Sequence, residues 1–185
     1  MPITIHRYDA DSAKGIEDQI VEAFIAANAH LQHDPFYQAP RFRRQIEGHM
    51  AAPHWEMTVA KDDGRIVGFA YGFVLPPATA WWRGLISAVP EGFAEETGHR
   101  TFALSELNVL PRYRGNGIAS QLYRELLSQR TEERATLLTE QGNEAARGIY
   151  EHWGWTRAAS MRPSWEGAPV FDVFMLPLPL SSTGK

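Results

Sequence analysis

Val109-Leu110-Pro111-Arg112-Tyr113-Arg114-Gly115-Asn116-Gly117-Ile118-Ala119-Ser120 is the stretch whose reading decides the fold. Upstream of it, Phe102 to Val109 reads as a buried strand. Downstream, Ile118 to Gln129 carries Ile118, Leu122, Leu126 and Leu127 on one helical stripe. Between them lies a tight turn with two glycines and little side-chain bulk. A strand that enters such a turn and leaves it as a helix presents unpaired backbone N–H groups at the positive end of the helix dipole. That arrangement is an anion site suited to phosphate. The residues themselves remove one phosphate loop and weaken the case for another. No Lys-Ser or Lys-Thr follows the second glycine, and Ser120 stands where the dinucleotide fingerprint carries Gly or Ala.

The rest of the chain sets bounds on this reading. Its 185 residues predict one domain, 1–185, with 177–185 as a flexible tail. Hydrophobic residues make up 44% and charged residues 22%, the balance of a globular protein rather than a disordered one. No apolar run reaches the ~20 residues of a membrane span. The N-terminus lacks the basic and apolar regions of a signal peptide, so the expectation is a cytoplasmic protein without membrane partners. The chain has no cysteine, which excludes disulfides, thiolate metal sites and a covalent mechanism through a protein thiol. A net charge of −4 argues against nucleic-acid binding, and the Arg41, Arg43, Arg44 cluster reads as a solvated helix face. His30, His33, His49, His54, His99 and His152 show no metal-ligand spacing, so no metal is expected.

Periodicity and turn residues divide the chain into alternating elements. Strands are expected at Ile3 to Tyr8, His54 to Lys61, Arg65 to Leu75, Phe102 to Val109, Ala135 to Glu140, Trp155 to Ser160 and Val170 to Leu176. Helices are expected at Ile16 to Ala29, Pro35 to Met50 with Asp34 as its cap, Ile118 to Gln129, and Asn143 to Trp153, stopped by Gly154. Asp62-Asp63-Gly64 reads as a hairpin turn, and Pro76 to Arg100 as a long loop. Strands crowd the first half and β-α units the second. The fold class is therefore α/β or α+β with a mixed sheet.

A second motif narrows the glycine turn: Asn143-Glu144-Ala145-Ala146-Arg147-Gly148-Ile149-Tyr150-Glu151-His152-Trp153-Gly154-Trp155. Together with Arg114 to Ala119 it resembles the GCN5-related N-acetyltransferase (GNAT) superfamily. Arg114, Gly117 and Ala119 match the family's pyrophosphate motif, Gln/Arg-x-x-Gly-x-Gly/Ala. Asn143, Ala146, Tyr150 and Gly154 match its later motif, with Trp155 in place of a Phe. The resemblance spans about Arg65 to Leu176. It implies a mixed, mostly antiparallel, twisted sheet of six to seven strands with about four helices and splayed central strands. It also implies acetyl-CoA as cosubstrate, the acyl arm on the backbone of Leu107, Asn108 and Val109, and the pyrophosphate on Arg114, Gly115, Asn116, Gly117, Ile118 and Ala119. Ser120 adds a hydroxyl there. Asn143 bonds to the pantetheine arm or caps its helix, two compatible readings.

The resemblance makes Tyr150 the general acid for the departing thiolate, with a core tyrosine packed on Trp153 or Trp155 as the structural alternative. A phenol near 10 must protonate a thiolate whose acid lies near 8.5, so the role needs local tuning or hydrogen bonding alone. Glu106, three residues before Val109, is the candidate base, against a structural ion pair with Arg100 or Arg114. Glu140 is a weaker candidate on the loop before Asn143. Phe36, Trp81 and Trp82 are expected at the acceptor site, the tryptophans being equally readable as a dimer contact or loop packing. The resulting expectation is an N-acetyltransferase that moves an acetyl group from acetyl-CoA to a primary amine of a small molecule, by direct attack in a ternary complex. Its rivals are a protein or peptide N-acetyltransferase and a non-catalytic acyl-CoA sensor. A homodimer is left open.

Overall fold

A computed structural model describes residues 2–180. In chain order the regular elements are β1 (Thr4–Asp9), α1 (Ala10–Ala13), α2 (Glu17–Ala27), α3 (Ala39–Met50), β2 (Glu56–Asp62), β3 (Arg65–Val74), β4 (Thr101–Val109), α4 (Ile118–Leu127), β5 (Arg134–Glu140), α5 (Glu144–His152), β6 (Thr156–Met161) and β7 (Phe171–Pro177). The strands form a mixed, mostly antiparallel seven-stranded sheet in the order β1-β2-β3-β4-β5-β7-β6. Contacts gather the chain into two units, residues 1–73 with 104–130, and residues 74–103 with 131–185. Among the described residues no helix is long and apolar enough to cross a membrane.

In the first unit, β1, β2 and β3 form an antiparallel meander. Asp63 and Gly64 both take positive φ, 48° and 77°, as the two-residue turn between β2 and β3 requires. Neighbouring residues on β3 point to opposite faces. Phe69 packs on Phe42 of α3, which stacks on Phe24 of α2 at 3.8 Å. Gly68 faces the other way, where even a Cβ would meet Leu122 of α4 at 3.2 Å. Thr58 ties the same face of β2 to α4 by donating to Leu122 O at 2.9 Å. Phe24, Phe42 and Phe69 are fully buried, each contributing roughly 2–3 kcal/mol by area.

The expected helix from Pro35 to Met50 is interrupted. Asp34 caps only a 3₁₀ turn at Pro35–Tyr37, Gln38 is extended, and α3 starts at Ala39. Pro40 is the cause. It has no N–H to continue a ladder, but it is tolerated in a first helical turn.

In the second unit β5 and β6 both pair antiparallel with β7, and β4 lies parallel to β5 from Thr101 opposite Arg134 to Ala103 opposite Thr136. From Leu104 on, β4 belongs to the first unit. The loop between β3 and β4 is fastened by one buried carboxylate. Glu96 Oε1 accepts from Trp82 Nε1 at 2.9 Å, Thr101 Oγ1 at 2.8 Å and Arg134 Nη2 at 3.1 Å. The tail expected from Pro177 starts later, since Pro177 ends β7 and Leu178 N–H donates to Glu133 O. Residues 181–185 lie outside the described residues.

Candidate active site

The glycine turn belongs to the first unit. Gly115 and Gly117 both sit in the left-handed region, at φ 77° and 74°, and a Cβ on Gly115 would meet nothing within 4 Å. Gly117 is the N-cap of α4 and offers no side-chain cap. The first intrahelical bond runs from Gln121 N–H to Gly117 O, so the Ile118, Ala119 and Ser120 N–H groups ahead of it have no intrahelical acceptor. Ile118 is buried and anchors the helix start, while the glycines are exposed.

Arg114 and Asn116 hold this turn from within. Arg114 N–H donates to Pro111 O, and its guanidinium donates to Val109 O at 3.0 Å and Ala27 O at 2.7 Å. Both the Arg114 amide and the Val109 carbonyl, expected among the binding groups, are thus already engaged in the fold. Asn116 Nδ2 donates to Tyr113 O and Arg114 O. Ser120 Oγ accepts from Arg124 Nε at 3.3 Å.

On β4 the half-buried residues Ser105, Glu106, Leu107 and Asn108 precede this turn. Glu106 pairs with neither Arg100 nor Arg114. Its Oε1 accepts from Gln45 Nε2 at 2.7 Å and its Oε2 from Asn108 Nδ2 at 2.9 Å. Asn108 Oδ1 in turn accepts from Asn28 Nδ2 at 3.0 Å. Burial raises the Glu106 pKa, opposed by the two amide donors and by the Arg41 charge. That direction moves a carboxylate towards the range of a useful base.

Gln45 Nε2 also donates to Tyr71 Oη at 3.1 Å, and the Tyr71 hydroxyl stands 3.1 Å from His49 Nδ1. Ser105 Oγ lies 3.3 Å from the same nitrogen. Tyr71 Oη accepts from Gln45 and shares further hydrogen bonds with His49 Nδ1 and Ser105, so the His49 ring nitrogen is tied into the same polar cluster. Burial, with the Arg41 charge, lowers the His49 pKa to about 4. Burial raises that of Tyr71 well above the ordinary phenol value. Both side chains are neutral at pH 7.

Sequence reasoning missed Arg41, Gln45, His49 and Tyr71. The signal was present in the spacing, because residues 41, 45 and 49 form one helical stripe beside the apolar pair Phe42 and Ile46. The arginine cluster is accordingly not one solvated face. Arg43 pairs with Glu17 and Asp18, Arg44 is exposed, and Arg41 turns inward with its Cζ 3.6 Å from the Phe36 ring centroid.

The second unit holds the other expected residues. Asn143 Oδ1 accepts from Ala146 N–H at 3.1 Å, so Asn143 is the cap of α5. Tyr150 is half-buried, and its ring meets Trp153, Trp155 and Phe174 at centroid distances of 5.9, 6.2 and 6.1 Å. Glu140 is the exposed last residue of β5, not part of the following loop. Trp82 is buried, with its indole N–H given to Glu96, the environment of the loop-packing reading among the three expected for it. Trp81 is half-buried in the same loop.

Comparison with known proteins agrees with the fold. Among solved structures, a protein of Pyrococcus horikoshii OT3 superposes with TM-score 0.67 at 16% identity, covering 97% of this chain and 100% of that one. The ribosomal-protein-S18-alanine N-acetyltransferase of Escherichia coli gives 0.65 at 16% identity, with 98% and 97% covered. The protein yncA of Salmonella typhimurium, solved with its cofactor acetyl-CoA, gives 0.60 at 16% identity, with 100% and 99% covered. At such identities the likeness carries the fold alone. No curated protein matches by sequence. The profile of the acetyltransferase (GNAT) family matches residues 18–155, most of the chain, and the protein belongs to that family.

Proposed function

We propose that the chain transfers the acetyl group of acetyl-CoA to a primary amine of a small molecule. One observation carries the donor half. Two glycines at positive φ open the first turn of α4, leaving three N–H groups without intrahelical acceptors beside open space. Such a nest binds a pyrophosphate without a lysine. The acetyl-CoA bound by the Salmonella relative, which shares the fold, supports the choice of nucleotide.

In the reaction, the Glu106 carboxylate removes the proton that an ammonium must lose before its nitrogen can attack. The nitrogen lone pair forms the new C–N bond, the C–S bond breaks, and the sulfur leaves with the electron pair. On the second unit, Tyr150 supplies a proton or a hydrogen bond to that sulfur. Backbone groups of β4 around Leu107 and Asn108 hold the acyl arm, and the Ser120 hydroxyl adds a donor at the phosphates.

The test is release of free CoA thiol from acetyl-CoA with a broad panel of small amines, alongside calorimetric titration of acetyl-CoA. Tyr150→Phe is expected to lower kcat on the order of tenfold or more while changing acetyl-CoA affinity by less than about threefold. Normal turnover in that variant removes Tyr150 from the mechanism. Modification confined to peptides or proteins refutes the small-molecule reading, and tight acetyl-CoA binding without any acceptor refutes the enzyme reading.

A further inference from the structure

The first unit carries a pair of opposite charges held close without an ion pair. Arg41 is half-buried, and burial lowers its pKa while Glu106 opposes that shift. Its guanidinium lies on the Phe36 ring and donates through Nη1 to Gln45 Oε1. Among the described residues Arg41 has no carboxylate within 4 Å. The contrast with Arg43, two residues on, is direct: Arg43 closes on Glu17 at 2.6 Å and Asp18 at 2.7 Å. What separates Arg41 from Glu106 is one side-chain amide, since Gln45 receives Arg41 on its oxygen and donates to Glu106 from its nitrogen. Gln45 is itself fixed by a second bond to the buried Tyr71, so the spacer cannot easily swing aside.

This arrangement restricts the acceptor. A plain ammonium drawn to Glu106 would also meet the positive charge of Arg41, a repulsion strengthened in a half-buried site. A molecule that carries a carboxylate close to its amine removes the conflict and satisfies both ends. The guanidinium is suited to that partner. Stacking on Phe36 fixes its plane, one N–H is used by Gln45, and the remaining edge of the fork matches a carboxylate in bidentate geometry. We propose that the acceptor is a free amino acid, with its ammonium received by Glu106 and its carboxylate by Arg41. Gln45 is the positioning residue that sets the spacing between the two. This rests on the acetyltransfer reading above and names the acceptor class for it.

The experiment compares amines that differ only in the carboxylate: phenylalanine against phenethylamine and phenylalaninamide, histidine against histamine, and lysine against cadaverine. CoA release is measured for each with the full chain, together with calorimetric titration of acetyl-CoA. At least one amino acid is expected to exceed its decarboxylated and amidated counterparts by tenfold or more in kcat/KM. In Arg41→Gln that ratio is expected to collapse to below about threefold, mainly through KM of the amino acid, and Arg41→Lys should recover part of it. A folding defect would lower all acceptors in parallel and leave the ratio intact, which counts against the proposal. So does acetylation of the carboxylate-free amines as fast as, or faster than, the amino acids. If acetyl-CoA binds and none of these amines is acetylated, the amino-acid assignment is wrong while the donor site stands. If acetyl-CoA does not bind, the acetyltransfer reading itself fails.

Discussion

The half-buried His49 makes the stability of this protein depend on pH in a way that can be measured at one residue. Its imidazole packs against Tyr71 and Phe73, with ring centroids 5.8 and 4.9 Å away, and Nδ1 is hydrogen-bonded with the Tyr71 hydroxyl at 3.1 Å. Burial and the nearby Arg41 charge hold its pKa at about 4, against 6.5 for an ordinary histidine. The unfolded chain therefore binds a proton there at a pH where the folded one does not. Stability from this group is fully present above pH 6.5 and is lost as pH falls towards 4. The loss is about 2 kcal/mol by pH 5 and about 3 kcal/mol by pH 4, at up to about 1.4 kcal/mol per pH unit. Urea denaturation from pH 7 to pH 4 measures it, with His49→Phe as the comparison. Phenylalanine keeps the ring contacts and has nothing to titrate, although it removes one hydrogen-bond partner of the Tyr71 hydroxyl and lowers stability at every pH. The wild-type advantage over the variant should thus shrink by about 2 kcal/mol between pH 7 and pH 5. A difference that stays constant within about 0.5 kcal/mol over that range would refute the neutral, half-buried histidine.

Three other outcomes can be checked. With Glu106 raised above the ordinary carboxylate range by burial, kcat/KM should fall as pH drops through that raised value, because the base must be charged; Glu106→Gln should abolish this acid limb and lower the rate on the order of 10²-fold or more. Gly68→Ala would place a Cβ 2.9 Å from the Asn108 backbone oxygen and 3.1 Å from Val109 Cγ2, so thermal denaturation should show a loss of about 1–3 kcal/mol as β4 is pushed away from β3. Glu96→Ala leaves Arg134 and the Trp82 indole without their buried acceptor, and is expected to destabilise by about 3–5 kcal/mol, read as a fall in Tm of about 10 °C.

Much of the fold and part of the site were legible before the structure. Turn chemistry located the Asp63-Gly64 hairpin and the left-handed Gly115 and Gly117, because a required positive φ is a property of the residue and its immediate neighbours. The apolar stripe of α4 fixed its buried face, and Asn143 three residues before Ala146 marked the start of α5. The break after Tyr37 was written in Pro40 but was outweighed by the nearer helix signals of Asp34 and Pro35. The resemblance carried by Arg114, Gly117, Asn143 and Tyr150 identified the family, since those positions sit on locally specified turns and helix starts.

What no local pattern showed was where polar side chains from distant segments meet. Trp82 was readable as a pocket wall, a dimer contact or loop packing, because a tryptophan in a loop gives no sign of its partner. Glu96, fourteen residues on, and Arg134, beyond another strand, turn it into core. Glu106 was readable as an acidic residue on a strand, but its surroundings come from α2, α3 and β3, through Asn28, Gln45 and Tyr71. Sequence by itself determined the elements, the glycine turn and the family, because these follow from backbone conformation and short-range periodicity. Only the tertiary structure decided that Arg41 stands one amide away from Glu106. Charge separation, burial and the pKa shifts that follow are set by neighbours more than sixty residues apart in the chain.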